Sequence, residues 1–301
     1  MPRGGNSNGQ AGLGSWLFAF CLAILSLLQV SCSRDKGAAS TSGIDTTGTS
    51  PRSDTSGTCW GICDASSPSF PIVSDSISFG DVTSYGSASD PQPSSGGACS
   101  YGPTGITRYA AIQANHLPGD LRGQWNDGKI CGQCALVRVR TDSGWKQTLV
   151  RIMDECPDSY CGIDLGGQPA KDLMGTQVGR YSGEWSLVSC KGHPELFDGP
   201  SRIWIKDGSS QWWAIVQVRD PLQAVQALRF RRVGAVDSSW TDMAWATEAY
   251  NFFKVPPDVL SDSTSTYELQ VLYGDGSIQS ATTLASALSK AKDSILLSPQ
   301  P

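Results

Sequence analysis

Every cysteine of this chain lies at or before residue 190, and residues 191–301 contain none. Of the ten, Cys21 and Cys32 belong to an N-terminal leader. The other eight are Cys59, Cys63, Cys99, Cys131, Cys134, Cys156, Cys161 and Cys190. An even set of thiols in an exported chain predicts disulfides. Cys131-Gly-Gln-Cys134 has the spacing of a zinc-ligand pair, but there is no second such pair to complete a site. The pattern predicts four disulfides, no metal and no cofactor, and leaves the pairing open. It also divides the chain into a half that is covalently stapled and a half that must hold itself by packing.

The leader supports export. Arg3 supplies a thin positive end, and the apolar stretch from Trp16 to Val30 has signal-peptide length, too short for a comfortable membrane span. Leu28-Gln29-Val30-Ser31-Cys32 resembles a bacterial lipoprotein processing site with Cys32 as the lipidated residue. An ordinary signal peptide cut a few residues further on is the other reading, and both place the mature protein outside the cytoplasm, free or lipid-anchored at the cell surface. Residues 33–58 are rich in Ser, Thr and Gly and have almost no apolar side chains to bury, which predicts a linker. Residues 59–195 then form a stapled domain, 196–283 a second domain, and 284–301 a tail read as a terminal helix or a frayed end.

Charge narrows the partners. Only 17% of residues are charged and the net charge is -5, which argues against nucleic acid and leaves a neutral polymer as a natural ligand. Ten tryptophans are many for this length, and exposed indoles make platforms for the apolar faces of sugars.

Periodicity predicts a mainly β protein. In the first half, Ser76 to Ser84, Cys134 to Arg140, Gln147 to Met153 and Glu184 to Cys190 read as strands, with Asp142-Ser-Gly as a turn. Thr107 to Asn115 reads as a short helix, and Gln168 to Val178 as another with Pro169 in its first turn. In the second half, strands are expected over Arg202–Lys206, Trp212–Arg219, Ala224–Arg231, Tyr267–Tyr273 and Ser277–Thr283. Their spacing suits a small β-sandwich.

The residue types exclude several chemistries. No phosphate loop or dinucleotide fingerprint is present, and the glycines at 96, 97, 166 and 167 read as turn residues. His116 and His193 have no nucleophile motif nearby and read as plain structural histidines. The candidates left are the carboxylates, chiefly Asp154 and Asp164.

Several short motifs, in order, resemble those of the expansin family, including its microbial members. Gly80-Asp-Val-Thr83-Ser-Tyr85-Gly86 is similar to the family's opening strand. Gly96-Gly-Ala-Cys99, Cys131-Gly-Gln-Cys134, Asp154-Glu-Cys156-Pro157 and Gly162-Ile-Asp164-Leu165 follow. In the second half, Gly208-Ser-Ser-Gln-Trp-Trp-Ala-Ile-Val-Gln-Val-Arg219 resembles the signature strand of the expansin carbohydrate-binding domain, and Ala249-Tyr-Asn-Phe252 the segment carrying its third surface aromatic. The resemblance spans roughly residues 76 to 283, and several motifs in order weigh more than any one. It implies a double-psi β-barrel followed by an immunoglobulin-like β-sandwich.

It also implies roles. Thr83, Tyr85, Asp154 and Asp164 would line a polysaccharide groove in the barrel. Trp212, Trp213 and Tyr250, with Lys206 beside them, would bind cellulose or another β-glucan. Asp164 occupies the place of the general acid in family-45 endoglucanases, which share the barrel. Their base follows Thr-x-Tyr-x-Asp, but here Thr83-Ser-Tyr85-Gly-Ser87 ends in serine, which cannot act as a carboxylate base. The expectation is a monomeric protein that loosens wall polysaccharide without cutting it. Cys156 and Tyr85 depart from bacterial members, which often carry Tyr and Thr there, and look more like plant and fungal ones. Two other readings stay open: a β-glucan- or peptidoglycan-cleaving enzyme on the same barrel, and a surface-anchored adhesion module. Trp204, Trp240 and Trp245 read as packing residues, and Arg229-Phe-Arg-Arg232 as a solvated strand face that could also meet acidic polymers.

Overall fold

The computed structural model describes residues 77–114, 124–175, 177–234, 236 and 240–299. The leader with Cys32, the linker, Cys59, Cys63 and His116 lie outside them.

Six strands close into a barrel: β1 (Ser78–Ser84), β2 (Tyr109–Gln113), β3 (Cys134–Thr141), β4 (Gly144–Cys156), β5 (Cys161–Leu165) and β6 (Tyr181–Val188), in the order β1-β5-β2-β4-β3-β6. β1 with β5 and β2 with β4 run parallel, and the other neighbours run antiparallel. These interleaved parallel pairs are the double-psi arrangement. β3 and β4 form a hairpin because Ala-Leu-Val-Arg-Val-Arg alternates and Gly144, at φ 105, permits the tight return. Closure leaves the barrel no free edge, and Val82, Ile112, Ile152, Ile163, Leu165 and Trp185 fill its interior.

The expected helix over Thr107–Asn115 is instead strand β2. Tyr109-Ala-Ala-Ile is buried on both faces between β5 and β4, so its apolar run carries no alternation to mark it as a strand. The helix expected to reach Val178 is α1 (Gly167–Met174), shorter because Gly175 takes φ 65 and ends it. β6 starts three residues earlier than the predicted strand and stops at Val188.

The second domain is a sandwich of two four-stranded sheets. One has the order β10-β9-β12-β13, from β9 (Val225–Arg232), β10 (Thr241–Asp242), β12 (Thr266–Tyr273) and β13 (Ile278–Leu284). The other has the order β11-β8-β7-β14, from β7 (Arg202–Ile205), β8 (Ile215–Arg219), β11 (Phe253–Lys254) and β14 (Ser294–Leu296). A short helix, α2 (Pro257–Ser261), lies between β11 and β12. β12 buries every second residue, Tyr267, Leu269, Val271 and Tyr273, against Ile203, Ile205, Val216 and Val218 of the opposite sheet. Each fully buried aliphatic side chain there contributes about 1.5–3 kcal/mol. The strand expected to begin at Trp212 begins at Ile215, because Ser210 and Trp213 bond each other in a turn first. The expected tail is part of the fold. After a short turn of helix at Ala285–Ser289, β14 pairs with β7, Ile295 opposite Ile203.

Among the described residues three disulfides form, Cys99–Cys131, Cys134–Cys190 and Cys156–Cys161. Cys131 and Cys134, spaced like a ligand pair, each reach a different and distant partner. The domains join through buried polar contacts. The fully buried Arg151 of β4 donates to the Leu196 and Pro221 carbonyls at 2.7 and 3.0 Å, and the Gln217 amide donates to the Cys99 carbonyl at 2.8 Å.

Candidate functional site

Barrel registry brings the first set of residues together. Thr83 pairs with Asp164 across β1 and β5, Asp164 with Ala111 across β5 and β2, and Ala111 with Asp154 across β2 and β4. Four neighbouring strands thus place threonine, aspartate, alanine and aspartate in one lateral row. With strands about 4.8 Å apart, the two aspartate backbones stand roughly 10 Å from each other, with only a methyl group between.

The two carboxylates are held differently. The Thr83 hydroxyl donates to Asp164 Oδ1 at 2.7 Å. Burial pushes the Asp164 carboxyl above the usual aspartate range, against the Thr83 hydrogen bond, which favours the ionised form. Asp154 Oδ1 accepts two backbone N–H groups, Ala98 at 2.7 Å and Glu155 at 2.9 Å. Gly97 makes the first of these possible. At φ 50 its backbone lies so close that a Cβ would sit 2.5 Å from Asp154 Cγ. The neighbouring Gly96 is also left-handed, at φ 95, so two of the four predicted turn glycines are turn residues, and Gly97 seats the Asp154 carboxylate. Gly166 instead precedes α1 in an extended conformation, and Gly167 is its first residue.

Tyr85 follows the row. Its N–H bonds the Leu165 carbonyl at 3.0 Å, and its ring meets Tyr109 edge-on at 5.7 Å and packs on Ala111 and the Cys156–Cys161 disulfide. Burial, then the Asp154 carboxylate, raises its phenol above the ordinary tyrosine range, so it stays a neutral donor. Ser87 is exposed and serves a turn, its hydroxyl accepting the Asp90 N–H at 3.1 Å. A disulfide-closed loop, residues 157–160, edges the row. Arg180 clamps it, donating to Asp158 at 2.8 Å, to the Tyr160 carbonyl at 3.1 Å and to Asp81 at 2.7 Å.

In the sandwich, adjacent indoles escape strand alternation because they stand on a turn. Ser210 N–H donates to the Trp213 carbonyl at 2.8 Å, Trp213 N–H returns to Ser210 at 3.2 Å, and the Ser210 hydroxyl takes the Trp212 N–H at 3.3 Å. Trp212 is 83% exposed, so a large apolar surface is left in water and its burial against a partner would be favourable. Trp213 is half-buried, and Lys206, at the base of the same hairpin, is half-exposed with its N–H on the Ile215 carbonyl. Tyr250, 45% exposed, sits on the loop before β11. Trp204 stacks against Arg219 at 3.6 Å and Trp245 against the Phe253 ring at 4.1 Å, while Trp240 lies between Arg229 and Arg231. His193 faces Glu195 at 3.3 Å, away from both sets. Sequence reasoning missed Trp125, whose ring meets Tyr250 edge-on at 5.5 Å. Nothing in the motif pattern connects residues so far apart in the chain.

No family model matches the chain, and a search of curated proteins returned no match. Solved structures do match. The apo expansin of Clavibacter michiganensis aligns with 73% of this chain and 96% of its own, at 19% identity and a TM-score of 0.53. A mutant of the Clavibacter michiganensis expansin, in complex with cellohexaose, aligns with 75% of this chain and 97% of its own, at 18% identity and the same TM-score. The chain therefore has the fold of these bacterial expansins, a double-psi β-barrel followed by an immunoglobulin-like β-sandwich.

Proposed function

We propose that this protein is an exported, expansin-like binder of cellulose or a related β-glucan that loosens wall polysaccharide without hydrolysing it. The observation that carries the reading is Trp212, a largely exposed indole fixed by a doubly bonded turn. Together with Trp213 and Tyr250 it would form a flat aromatic row for successive glucose rings, with Lys206 as a polar neighbour. The complex of the similarly folded expansin mutant with cellohexaose supports the ligand class. The disulfides suit an extracellular setting, and the leader would deliver the protein there, with Cys32 as the anchor point if the leader is of the lipoprotein type.

In the barrel, Asp164 with its raised pKa would donate a hydrogen bond to a glucan hydroxyl and compete with glucan–glucan contacts. Thr83 orients it, and Asp154 and Tyr85 shape the rest of the groove. Inverting hydrolysis needs a second carboxylate as base, and the base position holds Ser87, already engaged in its own turn. Essentially no soluble sugar should be released from cellulose, xyloglucan or mixed-linkage glucan, while wall strips should extend under load. Sustained sugar release that Asp164→Asn abolishes would replace this reading with a hydrolase. Cellulose binding with unchanged wall mechanics would leave an adhesion module.

A further inference from the structure

One stretch of backbone is strained in a way the groove and the aromatic turn do not use. Asn126, Asp127 and Gly128 are consecutive and all left-handed, with φ of 46, 54 and 79. Left-handed residues normally occur singly, and a run containing two non-glycines persists only where its surroundings over-determine it. The surroundings here are the second domain's loop that carries Tyr250. A Cβ on Gly128 would sit 2.7 Å from Tyr250 Cβ and 3.2 Å from Cγ, so the barrel backbone lies directly against the tyrosine. The next residue, Asn251, is also left-handed, at φ 65.

Both sides are anchored to one covalent link. The barrel turn returns through Gly128, whose carbonyl accepts the Cys131 N–H at 3.1 Å, and Cys131 is bonded to Cys99. From the other side, the buried Asn251 amide donates to the Cys99 carbonyl at 3.4 Å. The Trp125 ring, buried in the barrel core, stands edge-on to the Tyr250 ring at 83°. Tyr250 thus has its exposed part in solvent and its other part seated on the first domain.

The geometry points to Trp125 and Gly128 of the barrel as positioning residues for Tyr250, so that the aromatic surface of the sandwich is completed by the other domain. The inference rests on the reading of Tyr250 as a sugar-stacking residue. Neither positioning residue touches polysaccharide. They hold one ring of the surface at a set angle, and they make glucan binding by the second domain depend on the first.

The test uses cellohexaose titrated by calorimetry into the whole protein. Gly128→Ala should weaken binding about fivefold, roughly half of what one stacked ring contributes. Gly192→Ala is the control. Gly192 is equally left-handed, at φ 86, but a Cβ there meets nothing, so the variant carries the backbone strain without the contact and should bind as wild type. In a Tyr250→Ala background Gly128→Ala should cost nothing further, because its effect runs through that ring. Trp125→Phe gives a second route should the alanine variant fold poorly. It keeps an aromatic core residue, removes a buried indole N–H that has no hydrogen-bond partner, and should also weaken binding. If Tyr250→Ala weakens binding but Gly128→Ala and Trp125→Phe do not, the positioning role is wrong and the aromatic reading stands. If Tyr250→Ala itself changes nothing, the aromatic reading fails with it. An additive double variant would assign Gly128 a general structural role and overturn the inference.

Discussion

The barrel and the sandwich solve the same problem by different means. The sandwich relies on alternation. β12 turns every second side chain inward, and its two neighbours run antiparallel along its length. The barrel has an apolar interior too, but irregular loops hang on it, including the 97–108 and 157–160 segments beside the row of Thr83, Asp164 and Asp154. Cross-links tie those loops down. Cys99–Cys131 closes 32 residues, Cys134–Cys190 closes 56, and Cys156–Cys161 closes 5. Covalent restraint is thus concentrated where the backbone is irregular, and absent where the sheet pattern suffices.

The largest expected effect breaks that contrast directly. By loop-closure entropy the three links stabilise the barrel by about 4, 4 and 2 kcal/mol, for the 56-, 32- and 5-residue loops respectively. Thermal melts in dithiothreitol, followed by near-ultraviolet circular dichroism, should lose the barrel transition and retain that of the sandwich. A single melt lowered as one unit would show that the domain junction, not the disulfides, sets stability.

The next effect separates the two surfaces by function. Replacing Trp212, Trp213 and Tyr250 by alanine should cost about 1–3 kcal/mol of cellulose affinity per stacked ring, and wall extension should fall with it. Asp164→Asn should leave a cellulose pull-down nearly unchanged and abolish extension. If the triple variant binds like wild type, the aromatic surface has been misread. If Asp164→Asn extends walls normally, the groove is a remnant.

The smallest effect is one of pH. Asp164 is raised above its ordinary value, so between the two values the folded chain holds a proton that the unfolded chain releases. Its contribution to stability is complete below the ordinary value and is lost as pH rises through the raised one. Asp164→Asn should flatten the melting temperature across the mildly acidic range. Thr83→Val removes the hydroxyl that favours the charged form and should move the same inflection upward. A wild-type profile that is already flat would remove the proton-donor role proposed for Asp164.

What was legible in the sequence follows from which interactions are local. β3, β4 and β12 alternate, and a reader of residues sees them at once. β2 is buried on both faces and looks like any apolar run. β14 earns its conformation only from a partner strand some ninety residues earlier. Thr83, Asp164 and Asp154 were nameable as candidates from short motifs, yet the row they form exists only after the strands interleave. The seating of Tyr250 on Gly128 left no mark in either segment, because it depends on how two domains meet.

The pairing of β14 with β7 also sets a timetable. β7 opens the second domain, but the edge it offers to β14 stays unpaired until residues 294–296 have been made. The barrel strands are complete by Val188 and can close while the rest of the chain is still emerging. Its partner domain must wait with a bare strand edge, the kind of surface that recruits other chains. A lesion that stops the chain before residue 294 would therefore yield a finished barrel carrying an adhesive, half-sheathed second domain.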